Sequence, residues 1–481
     1  MKKYLVLALA SAFAGGAIAQ TTPFGTFNKP FAADSPWNIR PINPVLGGEA
    51  PPLSPLQPGS TVPWSGQIAQ GIYSTAAFLA NKEDSPMVVY PVAGSQGVWD
   101  PDAREYLPSI TVPRWPSTVT PASGGDGHAD IVDPESGKVY SFWQLKFIDG
   151  KWRATQTSWS ALGGKGWGDP SHIYQGARAV GVPTIGGVIR KHEVNDGETL
   201  YKHVLAMSMS REALQGKPVS YVYPATSADN NSATLHTGKI PEGALIMLPQ
   251  SYQPLVNNPL LKKVVETLKV YGARVVDENT ATPFYIYVEN GAAFSLLNGT
   301  SADTQMYAEL ERLRKELRQV VTADSYVDGN GAPTTTNVPG NDNILSMRGP
   351  WVTYPLGGTT APFNSLTQSI EFPSRPAVVE QQNGNGTGIS GGPVNNGGVT
   401  WARPVAGATY QVKAIGTGGA QMRVQLSWYP SGQSTISNVI TPWLADGQTA
   451  SITWPTGAWA TVWARNGVSQ KGSIRATMIK Q

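Results

Sequence analysis

The sequence predicts a mainly β fold: a multi-stranded β domain with two inserted helices, followed by a C-terminal β-sandwich. Three observations carry this. Glycine and proline are dense, 52 and 39 in 481 residues, and they interrupt long helices every few positions. Between them recur short runs rich in aromatic and β-branched residues. A charge-free, Gly/Asn-rich stretch at 381–400 then divides the chain, because such composition makes a flexible linker. The length exceeds what one hydrophobic core supports.

Residues 1–19 have the parts of a secretory signal. Lys2 and Lys3 form the basic start, Tyr4 to Ala14 the apolar stretch, and Ala17-Ile18-Ala19 the small-residue cleavage site. The apolar run is too short for a transmembrane anchor. Residues 20–380 form the expected main domain, opening with a Pro-rich wrap. Strands are expected at 87–90 and 128–133, and Asp149-Gly150 joins 138–147 to 151–159 as a hairpin. Further strands are expected at 184–190, 200–210, 219–225 and 244–249. In the second of these, alternation puts Tyr201, His203, Leu205 and Met207 on one face. The helix at 259–271 has Pro259 behind Asn257-Asn258 and ends at Gly272. The helix at 303–320 carries Met306, Leu310, Leu313 and Leu317 at helical spacing, with Glu309, Arg312 and Glu316 on a solvated face. Residues 324–380 are read as loops and strands finishing this domain.

Charge and composition exclude several function classes. The formal net charge is +3, of which Lys2 and Lys3 contribute two. No Lys/Arg cluster tracks a phosphate backbone, so nucleic acid is not an expected partner. The absence of cysteine removes disulfides, thiolate nucleophiles and Cys–zinc sites. No G-x-S-x-G elbow, phosphate loop, dinucleotide fingerprint or H-E-x-x-H motif occurs. Export and lack of cysteine suit a secreted or periplasmic bacterial protein.

All five histidines lie between 128 and 236, which makes that region the candidate chemical centre. In a strand, His128 and Asp130 share a face, as a base with its orienting carboxylate or as two ligands would. The loop Trp167-Gly168-Asp169-Pro170-Ser171-His172-Ile173-Tyr174 sets an indole beside polar groups, as a sugar site requires. Arg190-Lys191-His192-Glu193 closes a further strand, with His203 after it. Three mechanisms compete. Glycoside hydrolysis needs two carboxylates, from Asp130, Asp169 and Glu193, with Asp130 and Asp169 the first pair. Lyase action on a uronate polymer would use His128 or His172 with Tyr174, and Arg190 or Lys191 to neutralise the substrate carboxylate. A metal route would run through His128, Asp130 and His172 or His203. No cofactor is required, no metal ligand set is assigned, and a structural calcium ion remains compatible with the acids.

The succession His128-Ala129-Asp130-Ile131-Val132-Asp133 through Trp143, then Ala179 through Val194, resembles a group of secreted bacterial and fungal proteins. The resemblance continues through His203, Tyr221 to Ala225, Asp229, Ser232, Leu268 to Gly272 and Asp277-Glu278-Asn279, and spans roughly residues 30–320. It implies secretion and gives standing to Asp130, Asp133, Arg190, His203 and Asp229, of which Arg190 and Asp229 are taken as substrate-binding. His192 stands where that group has an Asp nearby. The resemblance brings no activity with it.

Residues 401–481 hold six of the 15 tryptophans, one acid and seven basic residues. Trp428 in Trp428-Tyr429-Pro430 and Trp454 in Trp454-Pro455 could stack on glycan; the alternative is that the indoles fill the core of a small sandwich. Scarcity of acids makes this an accessory module. The sequence therefore reads as a carbohydrate-active enzyme hydrolysing a polysaccharide or cell-envelope glycan with two carboxylates. The alternatives are a uronate lyase and a non-catalytic glycan-binding surface protein.

Overall fold

The computed structural model describes residues 22–54, 61, 64–102, 105–168, 172–216, 220–300, 302–335, 344–345, 347, 349–354, 363–365, 369–383 and 404–481. The expected signal at 1–19 and most of the expected linker lie outside them. The fold is mainly β, and among the described residues no helix is long and apolar enough to cross a membrane.

The first sheet is built on the strands Leu205–Ser210, Leu245–Met247, Ala273–Asn279 and Phe284–Tyr287, extended by Arg40–Leu46, Arg318–Val327 and Gln67–Ala69. One of its faces is covered by the helices Pro259–Val270 and Ala302–Glu316. Met207, Ile246, Val275 and Ile286 on the strands pack there with Leu261, Val264, Leu310 and Leu313 on the helices. The first helix starts as its sequence requires: the Asn258 side chain accepts the Leu261 N–H at 3.0 Å and Pro259 fills the first turn. The second helix stops at Glu316, short of 320. The β-branched run around Val320 belongs to the strand Arg318–Val327. Glu309 is not solvated: it is 2% exposed and accepts from the Tyr252 hydroxyl at 2.6 Å.

The opposite face of this sheet, through Ala206, Leu245, Met247, Val276 and Tyr287, packs on Val132 and Val139 of a second sheet. That sheet runs Ala77–Leu79, Ala129–Asp133, Lys138–Trp143, Gln156–Ala161, Val98–Asp100, Glu105–Leu107. Its outer face, with Ala129, Ile131 and Phe142, packs on a four-stranded sheet through Val89, Val112 and Ala154. Helices and three sheets thus stack as layers. Apolar residues alternate across the strand Ala129–Asp133 because it is sandwiched on both faces.

Several expected strands are corrected. Residues 184–190 turn rather than extend: Gly187 has φ +68, and a Cβ there would lie 2.7 Å from the Ala206 nitrogen. The strand read at 200–210 begins only at Leu205, so His203 does not share a strand face with Met207. Residues 220–225 form no strand and pair only by an isolated bridge, Tyr221 to Glu242. The Asp149-Gly150 hairpin exists, with Ile148 opposite Lys151. Its long arms break at Gln144, φ +57, and at Thr155, and their outer halves pair in the second sheet.

The C-terminal unit is a sandwich of a six- and a four-stranded sheet. Strands before the expected linker belong to it. Ser369–Phe372 pairs with Gly472–Lys480, and Glu380–Asn383 pairs with Trp459–Arg465. Trp351, Ile370 and Phe372 share its core with Val424, Val462 and Trp454. The boundary at 380 is therefore displaced toward the N-terminus, and 381–383 are strand rather than linker.

Candidate functional site

The ends of the first two sheets open into a cleft of about 970 Å³. The second sheet contributes Asp126 and His128, just before Ala129–Asp133, and Trp143 at the end of the next strand. Asp126 accepts the Trp143 indole N–H at 3.1 Å and lies 4.0 Å from His128 Nε2. His128 is 2% exposed. Burial, reinforced by Arg178, holds its imidazole well below the usual range, so it is neutral.

The first sheet contributes Asp277. A register shift between Met207 and Ser208 places Ser208 opposite Asp277 and leaves Val276 as the extra residue. Such a bulge re-aims the following side chain. Val275 packs toward the helices and Val276 toward the second sheet, and Asp277 also reaches the second-sheet side. There its Oδ2 lies 3.3 Å from Arg178 Nη1. Burial and the charge of Asp229 push the Asp277 carboxyl well above the carboxylate range, outweighing Arg178. Arg178 is 2% exposed, donates to the Tyr73 carbonyl and stacks 3.9 Å over the Tyr287 ring.

Asp229 completes the acidic wall from the loop after Ala225. Its backbone N–H donates to Glu242 Oε2 at 3.0 Å, and its Oδ2 accepts the Glu278 N–H at 2.9 Å. Burial raises Asp229, and burial with the neighbouring Asp229 raises Glu242 well above its usual value. Glu278 goes the other way. Burial opposes its charge, but hydrogen bonds from His236 and Arg211 hold it at about 2. Asp229, His236 and Glu278 bring ligand atoms within 4.8 Å of one another. A calcium ion fits this set poorly: one ligand is an imidazole, and Arg211 already sits 2.5 Å from Glu278.

The remaining walls suit a polyol. Trp99 and Tyr106, in tilted contact at 4.8 Å, line the cleft with aromatic surface, and Gln96, Gln156, Asn230, Thr155 and Ser227 line it with amides and hydroxyls.

The residues expected from the sequence do not converge. His128, Tyr174 and Asp229 line the cleft. The Tyr174 hydroxyl donates to the Arg178 carbonyl at 3.1 Å, and burial raises its phenol. Asp130 does not reach the cleft: it is 0% exposed and accepts the Ile185 N–H at 2.7 Å. It points inward because the alternation that puts Ile131 in one core puts Asp130 at the other. Asp169 lies outside the described residues, so the Asp130–Asp169 pairing has no support from Asp130's side. Trp167 is 2% exposed and stacks at 4.7 Å on Trp37, so it is core and not a sugar platform. His172 packs on Trp159 at 4.2 Å, with Nε2 3.8 Å from Asp102. Trp454 is core at 4% exposed, whereas Trp428 is half-buried.

Glu193, His203 and Arg190 meet in a second cavity of about 460 Å³. His203 Nε2 lies 3.2 Å from Glu193 Oε2, and its Nδ1 lies 2.9 Å from the Val204 carbonyl. With an acceptor at each nitrogen the imidazolium is favoured. Burial lowers His203, but Glu193 more than offsets it and the net shift is upward. Arg190, 3% exposed, is held by Glu289 at 2.9 Å and by the Phe27 carbonyl at 2.9 Å, which anchors the N-terminal wrap. Neither Asp277 nor Asp126 was among the expected site residues; an acid after the apolar pair Val275-Val276 and an acid two residues before His128 are the signals that could have found them. Trp99 and Tyr106 carried no such signal.

No protein-family model matches the chain, and no curated protein matches it. Among solved structures, the CBM22-1-GH10 modules of Clostridium thermocellum xylanase 10B, complexed with xylohexaose, share 10% identity at a TM-score of 0.17 over 29% of this chain. A CBM4 structure shares 16% identity at a TM-score of 0.15 over 27% of this chain and 94% of its own length. The chain spans only 28% of the xylanase structure, and at these TM-scores the likenesses carry no functional weight.

Proposed function

We propose that the chain hydrolyses glycosidic bonds of a polysaccharide in the 970 Å³ cleft, outside the cytoplasm, with Asp277 as general acid and Asp126 as the opposing carboxylate. The observation that carries this reading is that each of the two sheets places a carboxylate on the same cleft, near enough for the Asp126 charge to act on Asp277. Asp277, raised by burial and by Asp229, keeps a proton to give to the leaving oxygen. Asp126, 35% exposed on the facing sheet, is open to a water molecule or an anomeric carbon. Asp229 supports the acid by its charge, and Arg178 fixes the carboxyl from behind. Trp99 and Tyr106 supply ring faces for the polymer.

A uronate lyase is the weaker reading. No lysine or arginine occurs among the described lining residues, so nothing there neutralises a substrate carboxylate. Tyr174 commits its proton to a backbone carbonyl. A screen of neutral, amino and acidic polysaccharides, read for reducing ends and for unsaturated sugar, tests the proposal. Reducing ends without unsaturation are expected, and Asp277→Asn and Asp126→Asn should each lower the rate by about 1,000-fold. Unsaturated products, or full activity in both variants, would overturn it. Binding without cleavage of any polymer would favour a glycan-binding surface protein.

A further inference from the structure

The charge around the cleft is lopsided. Asp126, Asp229 and Asp277 line it, without lysine or arginine among the described lining residues. The elements behind them add little positive charge. Arg178 is engaged with Asp277 at 3.3 Å. Arg211 and His236 are both engaged with Glu278, at 2.5 and 2.9 Å. Glu242, 0% exposed, lies under Asp229. His128 is neutral, and the Tyr174 and Tyr287 phenols are held uncharged by burial. Among the described residues, neither Asp126 nor Asp229 has a lysine or arginine within ion-pair distance. A third carboxylate is also more than two-carboxylate hydrolysis requires, and with Asp277 protonated the charged acids left on the cleft are Asp229 and Asp126. An ammonium ion entering between these walls would pair with them in a partly buried, low-dielectric place, where the gain exceeds that in water. The cleft volume is at the upper end of ligand pockets, room for a segment of polymer rather than a single cation.

We propose that the cleft takes a polysaccharide bearing free amino groups, a glucosamine-type polymer whose ammonium groups seat against Asp229 and Asp126. The inference rests on the polysaccharide reading of the same cleft and narrows its substrate class. A polyuronate would bring its carboxylates against Asp229 and Asp126 and be repelled.

Two hexasaccharides of one backbone separate the possibilities: the glucosamine hexamer and its fully N-acetylated form. Each is titrated calorimetrically into the intact protein at a mildly acidic pH that keeps the amines charged. The amino form should bind at least about ten-fold tighter at low salt, and the preference should shrink as added salt screens it. Asp229→Asn should remove most of the preference, read as the ratio of the two affinities, which a change in overall binding alone does not move. Asp126→Asn, at the more exposed position, should reduce it independently of any folding defect in the first variant. Equal affinity for the two forms overturns the proposal, as does a preference unmoved by salt and both substitutions. Binding of neither form, or tighter binding of hexagalacturonate, also overturns it. Cleavage of both forms without amine preference would refute this inference and leave hydrolysis standing. Amine-dependent binding with no cleavage would do the reverse.

Discussion

Asp130 and Asp277 both lie in strands beside core valines, yet only one faces the cleft. Burial raises the Asp130 carboxyl to about 6, against hydrogen bonds from Ile185, Ser141 and Thr184. A folded value above the unfolded one means that the native state binds its proton more readily. The contribution of Asp130 to stability is therefore greatest below the ordinary carboxylate value of 3.8 and declines as pH rises toward about 6. Asp130→Ala should cost about 2–4 kcal/mol in urea unfolding by leaving the Ile185 N–H unsatisfied in the core. Asp277→Asn should cost far less stability while lowering activity on polymer by about 1,000-fold. His203 has the opposite linkage to charge. Its raised imidazolium, paired with Glu193, stabilises fully below the ordinary histidine value and is lost as pH rises through the raised one. His203→Asn should thus destabilise at mildly acidic pH and lose that effect at alkaline pH, as denaturant midpoints across pH would reveal. At this scale the sequence was legible as chemistry but not as direction. The His128–Asp130 spacing is real, but only contacts far along the chain decide that Asp130 meets Ile185 and that Trp167 meets Trp37.

At the scale of elements, turns were more legible than sheet membership. Asp149-Gly150 forms its hairpin, with both residues at positive φ, as their composition requires. The kink at Gln144 divides the first arm between two sheets and the break at Thr155 divides the second, which local composition does not encode. The helix beginning at Pro259 was legible from its cap, because its signals lie within one turn of the chain. The stretch 184–190 misled because apolar and β-branched residues there serve a buried turn. Gly187 lies at φ +68 with the Trp37 ring 2.5 Å from any added Cβ. Gly187→Ala should therefore destabilise by about 2–4 kcal/mol, from left-handed strain plus overpacking, measurable as a lowered melting temperature. The bulge beside Ser208 was equally invisible, since register depends on both paired strands.

The whole molecule divides earlier than its linker composition suggests. Strands on both sides of that segment build the same sandwich, because Glu380–Asn383 pairs with Trp459–Arg465 and Trp351 shares the core of Val424. A fragment 344–481 should unfold cooperatively, whereas 401–481 should not, having lost strands from both sheets and part of its core. Heat denaturation followed by circular dichroism would show the difference. The six tryptophans of the last segment marked a compact unit but not which earlier strands complete it.

The cleft joins the three scales, since a bulge in one sheet and a strand end in another bring Asp277 and Asp126 together. The pH dependence of kcat/KM for hydrolysis, measured for wild type and Asp277→Asn, tests their roles most directly. A polymer substrate needs its leaving oxygen protonated; an aryl glycoside with a good leaving group does not. For wild type on polymer, the rate should fall as pH rises through the raised Asp277 value, at a pH above the ordinary carboxylate range. That alkaline limb should vanish on the aryl glycoside, which Asp277→Asn should still cleave. An alkaline limb unchanged in Asp277→Asn, or equal loss on both substrates, would contradict the assignment of Asp277 as the acid.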